Sequence, residues 1–151
     1  MGQIADGIIF IGMIKLKHIL QEINESEYQI INGADFKRKY LTTTSGQLER
    51  ANFDGQDMDS MGSVLGRGMY FSVSQDSSEH YESDDYYVGT DYYDLLDSAK
   101  IMLVPNSDEV GSQKIEQSAK NMKVDGVYDP TEGQDGNPYF GLVIYNQSVL
   151  R

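Results

Sequence analysis

The stretch Tyr139-Phe140-Gly141-Leu142-Val143-Ile144-Tyr145 is apolar on both of its alternating faces. A strand of this kind is stable only where both faces are covered, so it predicts a central strand in a sheet packed on two sides. Ala99 to Val104 (AKIMLV) predicts a second buried strand, ended by Pro105. Val124-Asp125-Gly126-Val127-Tyr128 reads as a short strand after a turn, and Asp108 to Lys123 as a helix with Val110, Ile115, Ala119 and Met122 roughly on one face.

The N-terminal half is less regular. Residues 4–12 mix isoleucine with glycine and suit a short buried strand or a helix start. Leu16, Ile19, Leu20 and Ile23 follow the i, i+3, i+4, i+7 rule, so Ile14 to Ile23 predicts an amphipathic helix with His18 on its polar side. Tyr28-Gln29-Ile30-Ile31 reads as a strand stopped by Asn32-Gly33, and Asp35 as a cap for the basic stretch Phe36 to Lys39. Tyr40-Leu41-Thr42-Thr43-Thr44 predicts a β-strand from its β-branched residues, broken by Ser45-Gly46. Residues 46–65 read as a loop or short helix. Strands and helices do not alternate regularly, and no repeat or linker divides the chain, so residues 1–151 predict one α+β domain.

There is no cysteine, which excludes disulfides and thiolate chemistry, and His18 and His80 are too few for a histidine metal cluster. The longest apolar run, Gly7 to Ile14, is too short to cross a bilayer and lacks the flanks of a signal peptide. The expected location is a cytoplasm, its own or that of a host cell. Acids outnumber bases 24 to 12, a formal charge of −12. Phosphate repulsion opposes direct binding to nucleic acid, while the basic surface of a protein partner is attracted.

The run Gly66 to Tyr81 (GRGMYFSVSQDSSEHY) is the densest candidate site. Two glycines before Met69-Tyr70-Phe71 let the backbone turn sharply and approach a flat group. Tyr70 and Tyr81 stand eleven positions apart. A strand entering a helix, capped by Ser72 or Ser74, would bring both rings to one cleft. The same pattern also suits a strand whose aromatics only fill the core.

Gly66, Gly68, Met69, Tyr70, Phe71, Ser78 and Tyr81 resemble, in order and spacing, the signature of the ADP-ribosyltransferase superfamily, in its diphtheria-toxin-like and poly(ADP-ribose) polymerase-like branch. Val124-Asp125-Gly126-Val127, the strand ending in Asn146-Gln147-Ser148, and Leu41-Thr42-Thr43-Thr44-Ser45 resemble further blocks of that family. Together they cover roughly residues 40–150, and residues 1–35 have no counterpart. The resemblance implies two packed, mainly antiparallel sheets with flanking helices around an NAD cleft. It implies that Tyr70 and Tyr81 stack on nicotinamide, that Ser78 and the backbone near Thr43 hold its carboxamide, and that Gly68 is among the NAD-binding residues. The implied activity is mono-ADP-ribosyl transfer from NAD to a macromolecular acceptor.

Two catalytic positions depart from the family. Its ribose-binding histidine falls at Thr42, whose hydroxyl can still hydrogen-bond a ribose. Its glutamate falls near Gly141, so Asp129, Glu132 or Asp135 would have to supply the carboxylate, with Glu132 and Asp135 taken as the candidates beside Thr42 and Tyr70. The losses also fit an inactive protein that keeps the fold for binding. Residues 76–97 carry eight acids, no Lys or Arg, and interleaved tyrosines, which suits a solvated surface or a decoy for a basic, nucleic-acid-binding partner protein.

Overall fold

The computed structural model describes residues 28–55, 64–131 and 141–151. In chain order come β1 (Ile30–Asn32), α1 (Gly33–Tyr40), β2 (Leu48–Phe53), β3 (Met69–Phe71), α2 (Gln75–Glu82) and β4 (Tyr87–Tyr93). There follow β5 (Lys100–Leu103), α3 (Ser107–Val110), α4 (Ser112–Met122), β6 (Gly126–Tyr128), β7 (Leu142–Ile144) and a 3-10 turn, η1 (Gln147–Val149). The amphipathic helix expected over Ile14 to Ile23 with His18, the element at 4–12, and Tyr139 and Phe140 lie outside the described residues.

The apolar C-terminal stretch forms an interior strand. A five-stranded sheet runs β1-β5-β6-β7-β3, and β7 pairs antiparallel with β6 on one side and β3 on the other. β5 and β6 are parallel, so the chain between them crosses over through α3 and α4. That crossover covers one face. Ile115 and Ala119 of α4 pack with Met102, Val104, Val127 and Val143. The opposite face sends Ile101, Leu103, Tyr128, Leu142, Ile144 and Phe71 against Phe36 of α1, Leu48 of β2 and Leu95. Each of the fully buried Val, Leu, Ile and Met side chains among them contributes about 1.5–3 kcal/mol. The architecture is α+β, with a mixed five-stranded sheet and a separate antiparallel pair, β2-β4.

Four local expectations need correction. The strand over Tyr40 to Thr44 does not form. Tyr40 closes α1, Leu41 is its C-cap, and Thr42 makes one isolated bridge to Ser74. The Thr43 hydroxyl donates to the Gln47 carbonyl at 2.7 Å and Gly46 turns at φ 73°, so threonine here serves a turn. The loop expected over 46–65 contains β2, paired with β4 along its length. Asn32, not Asp35, caps α1, accepting from the Asp35 N–H at 2.8 Å. The helix expected over Asp108 to Lys123 is broken at Gly111, whose φ of 94° ends α3 before α4 begins.

Candidate functional site

The site lies where the two sheets meet. Glu49 of β2 and Ser72, just after β3, exchange backbone hydrogen bonds of 3.1 and 2.8 Å. This single bridge ties β2 to the large sheet's edge. Immediately afterwards Ser74 caps α2, its side chain accepting from the Ser77 N–H at 3.2 Å. The helical period then puts Ser74, Ser77, Ser78 and Tyr81 on one side, and Ser77 and Ser78 are buried. Small serines let the helix approach β2 closely. Ser77 Oγ donates to Ser72 Oγ at 3.2 Å.

Along β2, Glu49, Ala51 and Phe53 share the face toward this helix, while Leu48 enters the core on the other. A narrow cleft of about 20 Å³ runs between them, lined by Glu49, Ala51, Phe53, Tyr70, Ser72 and Tyr81, with Arg50 and Phe71 completing the wall. Phe53 and Tyr81 meet edge to face at 6.1 Å between centroids.

Tyr70 and Tyr81 thus line one cleft, as the spacing predicts. The Tyr70 hydroxyl is turned elsewhere: it donates to the Gly66 carbonyl and accepts from the Leu65 N–H at 3.2 Å. The Tyr145 hydroxyl donates to the neighbouring Leu65 carbonyl. Burial, then Tyr70 and Glu116, push the Tyr145 phenol well above the ordinary tyrosine value. Two tyrosines therefore clamp the turn before β3, and Tyr70 offers its ring rather than its hydroxyl to the cleft. The glycines serve this turn and the sheet. Gly66 has φ 95°, and a Cβ on Gly68 would lie 2.7 Å from the Ile144 carbonyl. Gly68 approaches β7 and does not line the cleft.

Ser78 is buried and does not itself line the cleft; its hydroxyl lies 3.2 Å from Glu49 Oε2 and 3.2 Å from the Ser74 carbonyl. Glu49 is only 6% exposed. It is the functional candidate that sequence reasoning missed. Period-two alternation through Glu49, Ala51 and Phe53 was the available signal, but nothing in sequence marks that face as buried.

The remaining candidates lie apart. Thr42 is exposed, and neither it nor Thr43 lines the cleft. Asp129 is buried away from the cleft with both carboxylate oxygens occupied. One accepts from the Ser107 N–H at 3.0 Å and its hydroxyl at 2.6 Å, the other from the Thr131 N–H at 2.8 Å and its hydroxyl at 2.6 Å. It pins two loops and has no lone pair directed at a substrate. Glu132 and Asp135 lie outside the described residues. Among the described residues no group of three acidic, histidine or cysteine side chains is placed to hold a metal ion, and no helix is long and apolar enough to cross a membrane.

Comparison with protein-family models, with curated proteins and with solved structures finds no match to this chain.

Proposed function

We propose that the chain has an ADP-ribosyltransferase-like fold and is a mono-ADP-ribosyltransferase that uses NAD as substrate. The observation that carries this reading is the cleft walled by Tyr70 and Tyr81, whose Glu49 is hydrogen-bonded by the buried Ser78 hydroxyl. Two aromatic rings suit a flat pyridinium, and a hydroxyl suits its carboxamide.

The chemistry is breakage of the bond between the ribose C1′ and the pyridinium nitrogen. Its electron pair leaves with neutral nicotinamide, an acceptor nucleophile bonds to C1′, and the acceptor's proton passes to solvent. The transition state is oxocarbenium-like, and a nearby carboxylate lowers its energy by several kcal/mol. Glu49 is the carboxylate lining this cleft among the described residues, beside the expected Glu132 and Asp135. The charge of −12 favours a protein acceptor with a basic surface, in a cytoplasmic setting.

Incubation with labelled NAD and a cell extract tests the reading. Transfer of label to protein is expected, falling at least about tenfold in Tyr81→Ala through lost stacking. A folded sample that neither binds nor cleaves NAD would overturn it. A second reading, a catalytically inactive decoy for a basic, nucleic-acid-binding partner protein, is favoured by a specific surface. Tyr86, Val88 and Tyr92 are exposed among Glu82, Asp84, Asp85, Asp91 and Asp94. It requires partner binding that weakens steeply with salt.

A further inference from the structure

We infer that the recess between the turn at residues 66–68 and the last turn of α4 binds a small organic phosphate, one about the size of a mononucleotide. The recess measures about 590 Å³. Small-molecule sites usually enclose about 300–1,000 Å³. It shares no lining residue with the cleft between β2 and α2, so the inference goes beyond the reading above and stands without it.

The charge pattern carries it. The chain has 12 lysines and arginines against 24 acids. Three of those cations, Arg67, Lys120 and Lys123, line this one recess. Among the described residues none of the three is in an ion pair. The two carboxylates beside them already hold neutral donors. Glu116 accepts from the Arg67 backbone N–H. Asp125 accepts from the Lys100 N–H on one oxygen and from the Asn146 amide on the other, each at 2.8 Å. Like charges around one recess repel, and a multiply charged anion relieves that repulsion.

Two elements deliver the cations. Glu116, Lys120 and Lys123 follow the helical period along one side of α4 and its C-cap. The negative end of the helix dipole explains lysines there. It does not explain Arg67, which comes from the turn before β3. That turn is pressed onto α4: a Cβ on Gly66 would lie 2.2 Å from Glu116 Cγ. The close approach and the N–H bond to Glu116 hold Arg67 at the recess. A guanidinium fork fits two phosphate oxygens, and the ammonium groups supply further donors. Ala119, Val124 and Tyr145 offer apolar surface to the organic part. The overall charge of −12 repels a long phosphate backbone, which favours a small phosphate over a nucleic acid.

The test is titration of the full chain with pyrophosphate, AMP, adenosine, citrate and a single-stranded oligonucleotide, read by calorimetry and by amide NMR shifts. It is repeated on Arg67→Gln and Lys120→Gln, both at exposed positions where the fold should tolerate the change. AMP and pyrophosphate are expected to bind and to shift amides at residues 66–68 and 119–125. AMP should bind at least about tenfold tighter than adenosine, and each substitution should weaken it about tenfold.

Adenosine binding as tightly as AMP, unchanged AMP affinity in both variants, or no binding of AMP and pyrophosphate overturns the inference. Shifts confined to residues 49–53 and 78–81 would place the phosphate in the other cleft and also overturn it. Citrate binding tighter than pyrophosphate overturns the phosphate assignment, and oligonucleotide binding tighter than AMP overturns the small-molecule one. AMP bound at the recess by a chain that neither binds nor cleaves NAD supports this inference while the transferase reading falls.

Discussion

Tyr145 and Asp129 show how single polar groups are held in this molecule, and each predicts a measurable stability change. Burial raises the folded-state value for Tyr145 far above the ordinary 10.0. Below pH 10 the phenol keeps its proton in both folded and unfolded chains, so it adds no pH dependence. Above pH 10 the unfolded chain releases the proton and the folded chain retains it. Stability therefore falls as pH rises, by up to about 1.4 kcal/mol per pH unit from this residue. Tyr145→Phe loses the hydrogen bond to Leu65, about 1 kcal/mol at pH 8, but removes this slope. Urea titrations at pH 8 and pH 11 should find the gap between the two proteins narrowing or reversing. Asp129 predicts a different outcome. Asp129→Ala leaves the Ser107 and Thr131 donors without their acceptor and is expected to cost about 3 kcal/mol or more in urea unfolding. NAD affinity under folding conditions should stay unchanged, because the residue lies outside the cleft.

At the scale of elements, what could be read in the sequence depended on where each element finds its partners. Leu142 to Ile144 was legible because three consecutive apolar residues have only one kind of environment. The Ser74 cap and α2 were legible because capping is a local contact three residues long. β2 was not, since its strand character depends on Tyr87 to Tyr93, some forty positions along, and on a helix that buries Glu49. The threonines at 42–44 misled for the converse reason: β-branching favours a strand, but the Thr43 hydroxyl closes a turn within four residues. Gly111 was passed over inside a helical pattern although glycine is the residue that marks such breaks. Its φ of 94° with ψ of 139° is a glycine conformation, and a Cβ there would meet nothing within 4 Å. Gly111→Ala therefore tests backbone strain without a clash. It should destabilise by about 1–3 kcal/mol, read as a lower urea midpoint with an unchanged slope. Wild-type stability would mean that α3 and α4 can join as one continuous helix.

At the scale of the whole molecule, the cleft joins two parts of unequal stability. The five-stranded sheet is covered on both faces, and Met102, Val127 and Val143 are fully buried in it. The β2-β4 pair is a two-stranded ribbon, a form marginal by itself in water, and β4 leaves Val88 and Tyr92 exposed. Its order depends on Leu48 in the core and on the Glu49–Ser72 bridge. Amide exchange should follow this division, slowest in β5, β6 and β7 and faster in β2 and β4. A group bound between β2 and α2 couples the weaker part to the stronger one, because it binds only while both walls are in place. Adding NAD should therefore slow exchange at Ala51 to Phe53 and at Ser78 to Tyr81, with little change in β6, an interior strand expected to open only with global unfolding. Slowing confined to residues far from these two segments would place NAD outside this cleft. Slowing at Ala51 to Phe53 alone would mean that β2 holds NAD without Tyr81, and the two-ring arrangement would have to be abandoned.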